Sequence, residues 1–136
     1  MEVSLCDIYI KMQKYDIYER VTVFVVKIIK FSEKLSKSFS GRIIAKQMIR
    51  SASSVGANMQ EADGATSKKD FINKVGISRK EAQETRYWLD LLKRANLIGN
   101  QQNVEELQFL FSECDQIARI LSSIINSARE GEGENV

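Results

Sequence analysis

The stretch Arg50–Ala65, RSASSVGANMQEADGA, decides how the rest of the 136-residue chain is interpreted. It is typical of the second half of a helix, yet six of the seven residues at positions 51–57 are Ser, Gly or Ala. Ser and Gly lower helix propensity, Gly by about 1 kcal/mol relative to Ala, so tertiary packing must offset that loss. Because such a thin helix lets neighbouring backbones approach, we expect Ser53, Gly56 and Ala57 to line close contacts between helices.

Outward from this stretch, apolar residues recur at alternating steps of three and four in four segments separated by short breaks. This repeat predicts four helices, each with one buried seam. The predicted helices cover residues 17–38, 42–63, 68–97 and 104–129. The expected N-terminal caps are Asp16, Ser67 and Asn103, and the expected breaks are Gly41, Gly64 and Gly99.

The predicted seams place two polar side chains, Ser51 and Asn58, among apolar ones in the second helix. A seven-residue repeat that continues through short connectors predicts an all-α fold, an up-down-up-down left-handed four-helix bundle. Residues 1–15 carry no clear period and are predicted to form an N-terminal arm. Residues 16–130 form the bundle, and residues 131–136 are predicted to be a disordered acidic tail.

Composition supports a single helical domain, because the chain has no proline, 43% apolar residues and 28% charged residues. Neither a signal peptide nor a membrane-spanning segment is recognisable, and Cys6 and Cys114 are typical of reduced thiols, so we expect a soluble cytoplasmic protein. The net charge of +2 is uneven. Residues 1–99 hold 18 basic and 11 acidic residues, whereas residues 100–136 hold 2 and 7.

Enzymatic chemistry is excluded mainly by residue types. The chain has no histidine, so it can build neither the Glu-x-x-His pairs of di-metal bundles nor the Arg-x4-6-His motif of helical ribonucleases. Glu81 and Glu84 could supply one acidic pair of a helical pyrophosphatase, but no second pair follows. We therefore predict no catalytic activity, no cofactor and no metal site.

Polar residues near the predicted core need partners. We expect a network, either Asn58 with Glu84 or Glu61 with Arg79, in which Glu81 also takes part. Such a network fixes helix register, as a buried Asn does in coiled coils, or it forms a ligand site.

Basic residues form rows at helical spacing on the first three helices. These rows are solvated faces or a surface for a phosphate backbone. The absence of exposed aromatic residues among them argues against a platform for stacking single strands. The candidate nucleic-acid-binding residues are Arg20, Lys27, Lys30, Lys34, Arg42, Lys46, Arg50, Arg79, Arg86 and Lys93.

Apolar residues beyond the seams lie on the first and third helices. They widen the core, or they form a subunit interface, where aromatic residues are enriched. On the first helix they are Val23, Val26 and Ile29. The candidate interface residues on the third helix are Ile77, Tyr87, Trp88 and Leu91.

Three motifs together resemble a known family: KQMIRSASSVGANMQEA at 46–62, SKKDFI at 67–72 and EAQETRYWL at 81–89. They look like the four-helix-bundle proteins first noted as reading frames inside intervening sequences of bacterial 23S ribosomal RNA genes. The accessory variability protein of diversity-generating retroelements is similar. The resemblance implies a cytoplasmic bundle, by analogy a homopentamer, with RNA or DNA and a reverse transcriptase as expected partners.

Two functions remain open from the sequence. The first is a nucleic-acid-associated accessory protein that uses the basic rows. The second is a structural or protein-interaction scaffold that binds no nucleic acid. The dependence of binding on salt concentration distinguishes them, because phosphate contacts weaken steeply as salt rises.

Overall fold

The structure, a computed structural model, describes the backbone of residues 5–35 and 37–133 and the side chains of residues 17–35 and 37–130. These residues form four helices and no strand, which confirms the all-α four-helix fold. None of the described helices is long and apolar enough to cross a membrane. The helices are α1 (Leu5–Ser32), α2 (Phe39–Asp63), α3 (Lys68–Arg94) and α4 (Gln101–Gly133).

The helices form a closed ring in which each packs on its neighbours in sequence and α4 returns to α1. In the contacts between two helices, residue numbers increase along one helix as they decrease along the other. Ser51 of α2 faces Thr85 of α3, whereas Val55 faces Ser78. On the other side, Arg20 of α1 contacts Glu113 of α4, and Lys34, two residues beyond the end of α1, contacts Glu106. Neighbouring helices are therefore antiparallel, as an up-and-down bundle requires.

The predicted seams form the core. Every predicted seam residue of α1 is buried, from Ile17 to Leu35, just beyond its last turn. Most seam residues of the other helices are buried as well, whereas the remaining ones are half-buried. Those half-buried residues include Ile44, Asn58, Phe71, Val104, Phe111, Ala118 and Ala128. Apolar side chains outside the predicted seams complete the core because each helix contacts two neighbours. They are Ala52, Met59, Ile98, Leu110 and Ile117.

The predicted ends of α1 were wrong. The helix begins at Leu5, so residues 5–15 are helical instead of forming an extended arm, and Asp16 lies inside the helix. It ends at Ser32, six residues before the predicted end. At the other end of the chain, α4 continues through residue 133, and residues 1–4 and 134–136 of the predicted arm and tail lie outside the described residues.

The start of α2 shows how a glycine misled the prediction. Gly41 does not separate the helices but is buried inside the first turn of α2. The cap is Ser38, whose hydroxyl oxygen accepts the Gly41 N–H at 3.1 Å. A serine at this position satisfies one of the free N–H groups of the first turn, so the helix starts three residues earlier than expected.

The connection between α3 and α4 depends on three asparagines and one glycine. Asn96 adopts a left-handed φ of 57°, and Leu97 N–H donates to Leu92 C=O at 3.0 Å, which ends α3 before Gly99. Asn100, not Asn103, caps α4 by accepting the Asn103 N–H at 2.9 Å. The buried Asn103 side chain instead donates to Ile98 C=O at 3.0 Å. In contrast, Ser67 caps α3 as predicted.

Small side chains bring α2, α3 and α4 together through hydrogen bonds that larger residues would prevent. The hydroxyls of Ser51 and Thr85 are 2.7 Å apart, and Ser78 Oγ donates to Val55 C=O at 2.9 Å. On the other side of α3, Cys114 Sγ contacts Ala82 C=O at 3.0 Å. A side chain reaches the backbone of the facing helix only if the two helices are close, so these contacts fix the register of α3.

The small residues that make these contacts differ in part from those expected. Ser53 and Ala57 are exposed. Gly56 does face α1, where a Cβ atom would lie 3.5 Å from Val25 and 4.0 Å from Val21, which is ordinary van der Waals contact. The seam residue Ser51, not Ser53, therefore makes the close polar contact with α3.

We predict that Ser51→Ala and Thr85→Val each lower the free energy of unfolding by about 1–2 kcal/mol, because each removes one partner of a buried hydrogen bond. Each remaining hydroxyl keeps a hydrogen bond to a backbone carbonyl of its own helix, from Ser51 to Met48 C=O or from Thr85 to Glu81 C=O. The double variant should lose less than the sum, since the second substitution removes a hydroxyl that has already lost its partner on the facing helix. Urea denaturation measures these values. Ser53→Ala is the matched control and should shift unfolding by no more than about 0.5 kcal/mol. Strictly additive losses would contradict the contact.

Candidate nucleic-acid interface

Acidic residues of α4 pair with three of the ten predicted binding residues, Arg20, Lys34 and Arg86. Arg20 of α1 contacts Glu113, and its guanidinium also donates to Gln116 Oε1 at 2.7 Å. Lys34 contacts Glu106 at 2.9 Å. The opposite charges of residues 1–99 and 100–136 therefore meet within the bundle. This pairing reduces the positive field that the rows would otherwise present to an anionic partner.

Two more of the predicted cations are held by aromatic rings of α4. Lys27 Nζ lies 4.9 Å from the ring centre of Phe109, and the Arg86 guanidinium lies 4.9 Å from that of Phe111. Arg86 is also 3.6 Å from Asp115. Each cation gains a weak attraction to the ring face and loses freedom to turn toward a ligand.

Arg50 joins the two carboxylates that could have formed half of a metal site. Its guanidinium donates to Glu81 at 3.3 Å and to Glu84 at a shorter distance. The hydrogen bond from Arg50 lowers the pKa of Glu84, whereas burial raises the pKa of Glu81. Among the residues whose side chains the structure describes, no group of three or more Cys, Asp or Glu side chains could hold a metal ion.

The predicted polar network forms with different partners. Asn58 donates to Ser54, at 2.9 Å to its carbonyl oxygen and 3.1 Å to its hydroxyl, so the expected pair with Glu84 was wrong. Glu61 pairs with Lys74 at 2.7 Å instead of with Arg79. Because Arg50 takes the two carboxylates of α3, the network links α2 to α3 through Arg50 and leaves Arg79 to the surface.

Four cations surround a shallow groove on the outer side of α3 and α4, which we call the α3–α4 groove. Its volume is about 660 Å³. Among the described residues that line it, Asp70 is the one carboxylate, and Ile77, Asn73 and Gly76 also line it. A Cβ atom on Gly76 would meet nothing within 4 Å, so the groove is open at this residue. The cations are Lys69, Arg79, Lys80 and Arg129.

A second basic surface lies at the beginning of α2, where the sequence prediction named Arg42 and Lys46 but missed their exposed apolar neighbours. Phe39 is 81% exposed and Ile43 is 48% exposed. Exposed cations accompany them, so the expectation that no exposed aromatic residue lies among basic ones was wrong. The sequence contains a feature that could have predicted this exposed aromatic residue, since Phe39 falls outside every predicted seam and lies between basic residues. We call this surface the α2 patch: Lys37, Phe39, Arg42, Ile43 and Lys46.

The remaining predicted binding residues, Lys30 and Lys93, are exposed and belong to neither surface. Within the part of the chain that the structure describes, neither forms an ion pair. The ten predicted residues are thus dispersed. Only Arg79 reaches the α3–α4 groove, and only Arg42 and Lys46 reach the α2 patch.

The residues predicted for a subunit interface have mixed exposure. Tyr87 is exposed and meets Trp88 edge to face, with ring centres 5.1 Å apart. Trp88 packs against the core, which agrees with the alternative that these residues widen the core. Ile77 and Leu91 are half-buried. On α1, the apolar residues beyond the seam are exposed by 39–44%, so they do not widen the core of a single subunit. They are Val23, Val26 and Ile29.

Comparison with known proteins then identifies the relatives. Residues 13–123 match the family described as 23S rRNA-intervening sequence protein. The chain belongs to this family. A solved structure from Bacteroides thetaiotaomicron, a protein of unknown function from the S23 ribosomal protein family, is 35% identical. The alignment covers 83% of this chain and 97% of that one, with a TM-score of 0.73. No curated protein matches the chain.

Family membership confirms the resemblance to the 23S rRNA-intervening sequence proteins. The matched range includes all of the quoted motifs, from residue 46 to residue 89, together with α2 and α3 in full. It also includes the close α2–α3 contacts and the polar network around Arg50. In this family member, the small-residue stretch is therefore a structural element, because its buried serine holds two helices together.

Cys114 is the one thiol whose surroundings the structure describes, and these surroundings suppress its reactivity. It is buried, and burial raises its pKa to about 12. Its Sγ is 3.0 Å from Ala82 C=O, inside the contact between α3 and α4. Since the thiolate is the reactive form, a raised pKa and a buried position both suppress reaction.

We predict that Cys114 in a Cys6→Ser background does not react with Ellman's reagent at pH 8 while the protein is folded. A pKa near 12 leaves almost no thiolate at that pH. Absorbance of the released thiolate should therefore rise only after denaturant is added. A Cys6→Ser/Cys114→Ala variant is the blank, and rapid labelling of the native protein would contradict the burial.

Proposed function

We propose that the protein is a non-enzymatic, homo-oligomeric bundle that associates with nucleic acid and binds its phosphate backbone through the α3–α4 groove. The observation that supports this most directly is the excess of cations over carboxylates there, four to one. None of the four forms an ion pair with another described residue. Their charge is available to an external anion, unlike that of the cations facing α4.

The dimensions of the groove suit a nucleic-acid backbone. Lys69 and Lys80 are eleven residues apart on α3, which corresponds to about 16 Å along the helix axis. One strand of a duplex places a phosphate about every 3.4 Å along its axis, so that length spans about five phosphates. The groove is shallow, and its cations lie on two helices. Such a surface offers phosphate contacts without reading base edges.

RNA is the first nucleic acid to test. The family description refers to an intervening sequence of 23S rRNA, and the structural relative belongs to a family named for a ribosomal protein. The resemblance to the retroelement accessory protein adds a reverse transcriptase as a proposed protein partner and the cytoplasm as the proposed location. Recognition of phosphates alone would allow RNA and DNA to bind with similar salt dependence.

Self-association is the second part of the proposal. Val23, Val26 and Ile29 give α1 an exposed apolar face, and water-exposed patches of this kind often mark protein interfaces. Ile29 follows Val25 by four residues, so it lies on the side of α1 that contacts Gly56 of α2. The subunit number of five comes from the resemblance. In a cyclic pentamer the groove would occur five times, and the weak positive charge of one subunit would be multiplied.

A purely structural scaffold is the alternative, and the internal ion pairs favour it. Arg20, Lys34 and Arg86, which were expected to bind phosphate, contact carboxylates of α4. These ion pairs join helices of the same bundle, so they account for the basic residues without any nucleic acid. Binding measurements with groove variants separate the two functions.

We predict that the protein binds a fluorescein-labelled 20-base-pair RNA duplex with an affinity that falls steeply between 50 and 200 mM salt. Lys80→Gln/Arg129→Gln should weaken binding and reduce the slope of log K against log salt by about 2, since two phosphate contacts are lost. Lys30→Gln/Lys93→Gln removes two exposed charges outside the groove and is the matched control. Fluorescence anisotropy measures both, and undetectable binding at 50 mM salt would leave the scaffold function.

We predict that light scattering gives five times the chain mass of 15.5 kDa. Val26→Asp should lower the measured mass, because it places a charge in a buried apolar interface. Its side chain is 44% exposed in the single subunit, so folding should be retained, which circular dichroism checks. Ser123→Asp, on the exposed side of α4, is the control. A wild-type mass of one chain would exclude self-association.

A further inference from the structure

The α2 patch belongs neither to the core, nor to the α3–α4 groove, nor to the apolar face of α1, so the exposure of its apolar side chains has no role in those features. Phe39 is far more exposed than any other large hydrophobic residue whose side chain is described. It stands in the first turn of α2, directly after the Ser38 cap, and its neighbour one turn on is the exposed Ile43. Exposed aromatic rings are unfavourable in water, so this ring is a candidate contact for a partner.

Charge surrounds these two apolar side chains. Arg42 and Lys46 are one turn apart and form a basic row beside the apolar row of Phe39 and Ile43. Lys37 precedes the cap. None of the three cations forms an ion pair with another described residue. The sequence contains no Asp or Glu between residues 34 and 60, so no carboxylate of α2 is available to neutralise them before its last turn.

We propose that the α2 patch binds an unpaired segment of nucleic acid, with one base stacked on Phe39 and the adjoining phosphates on Lys37, Arg42 and Lys46. This inference rests on the proposed function, because both require that the protein binds nucleic acid. The α2 patch would be a second binding site, with a preference for single strands. Aromatic rings beside basic residues are the combination that sites for single strands use, because every base has a face that can stack.

The composition of the α2 patch argues against the other occupants. A second copy of this chain would bring its cations close to these if the contact were symmetric, and interface centres are depleted of lysine. The apolar face of α1, with Val23, Val26 and Ile29, is better suited to self-association. A duplex hides the faces of its bases, so it could use the cations of the patch but not the ring of Phe39.

The decisive comparison uses the full chain with labelled dT20 and with the 20-base-pair RNA duplex at 50 mM salt. Phe39→Ala should weaken binding of dT20 at least about fivefold and leave duplex binding unchanged, because it removes stacking but no charge. Phe109→Ala, which removes another exposed ring close to a lysine, is the matched control and should affect neither probe. Light scattering of Phe39→Ala should give the wild-type mass.

A second variant provides a positive signal. In Phe39→Trp, dT20 should quench the fluorescence of the new indole by stacking, whereas the wild-type emission from Trp88, which packs against the core, should change little.

Each result has one meaning. If the wild type binds the duplex, and Phe39→Ala does not change the binding of dT20, this inference is overturned and the proposed function is retained. A lower mass for Phe39→Ala would assign the patch to a second copy. Wild-type protein that binds neither probe would overturn both proposals.

Discussion

The fold depends on the close approach of α2 and α3. A pair of hydroxyls 2.7 Å apart, on Ser51 and Thr85, and a serine that donates to the Val55 carbonyl of the facing helix can form only when the two backbones are near each other. These polar groups are buried, so a hydrogen bond lost between the helices is not replaced by one to solvent water. Small residues in α2 are therefore a requirement of the architecture, despite their poor helix propensity.

Charge pairing organises the outside of the bundle as the small residues organise its inside. Acidic side chains of α4 contact Arg20, Lys34 and Arg86, so a chain with uneven halves becomes more evenly charged once folded. Exposed ion pairs contribute little to stability, about 0–1 kcal/mol each. Their larger effect is to decide which cations remain available. Those at the α3–α4 groove and the α2 patch form no ion pair with another described residue.

Sequence periodicity predicted the helices and the core, because burial in a bundle follows a repeat that residue types display directly. The buried seam of α1 from Ile17 to Leu35 illustrates this. Helix ends were less predictable, since they depend on single backbone conformations such as the left-handed Asn96. Surface function was the least predictable. Whether Arg50 faces solvent or Glu84 depends on which helices are neighbours and on their register, and no spacing within one helix contains that information.

Gly76 lines the α3–α4 groove but takes no part in the packing between helices at its Cβ position. A side chain introduced there would touch nothing within 4 Å, so the position tolerates replacement as far as folding is concerned. Alanine would even favour the helix, by about 1 kcal/mol. Yet any side chain there would occupy open space at a residue that lines the α3–α4 groove. A single change at this position would therefore alter the shape of the groove and leave the scaffold as it is.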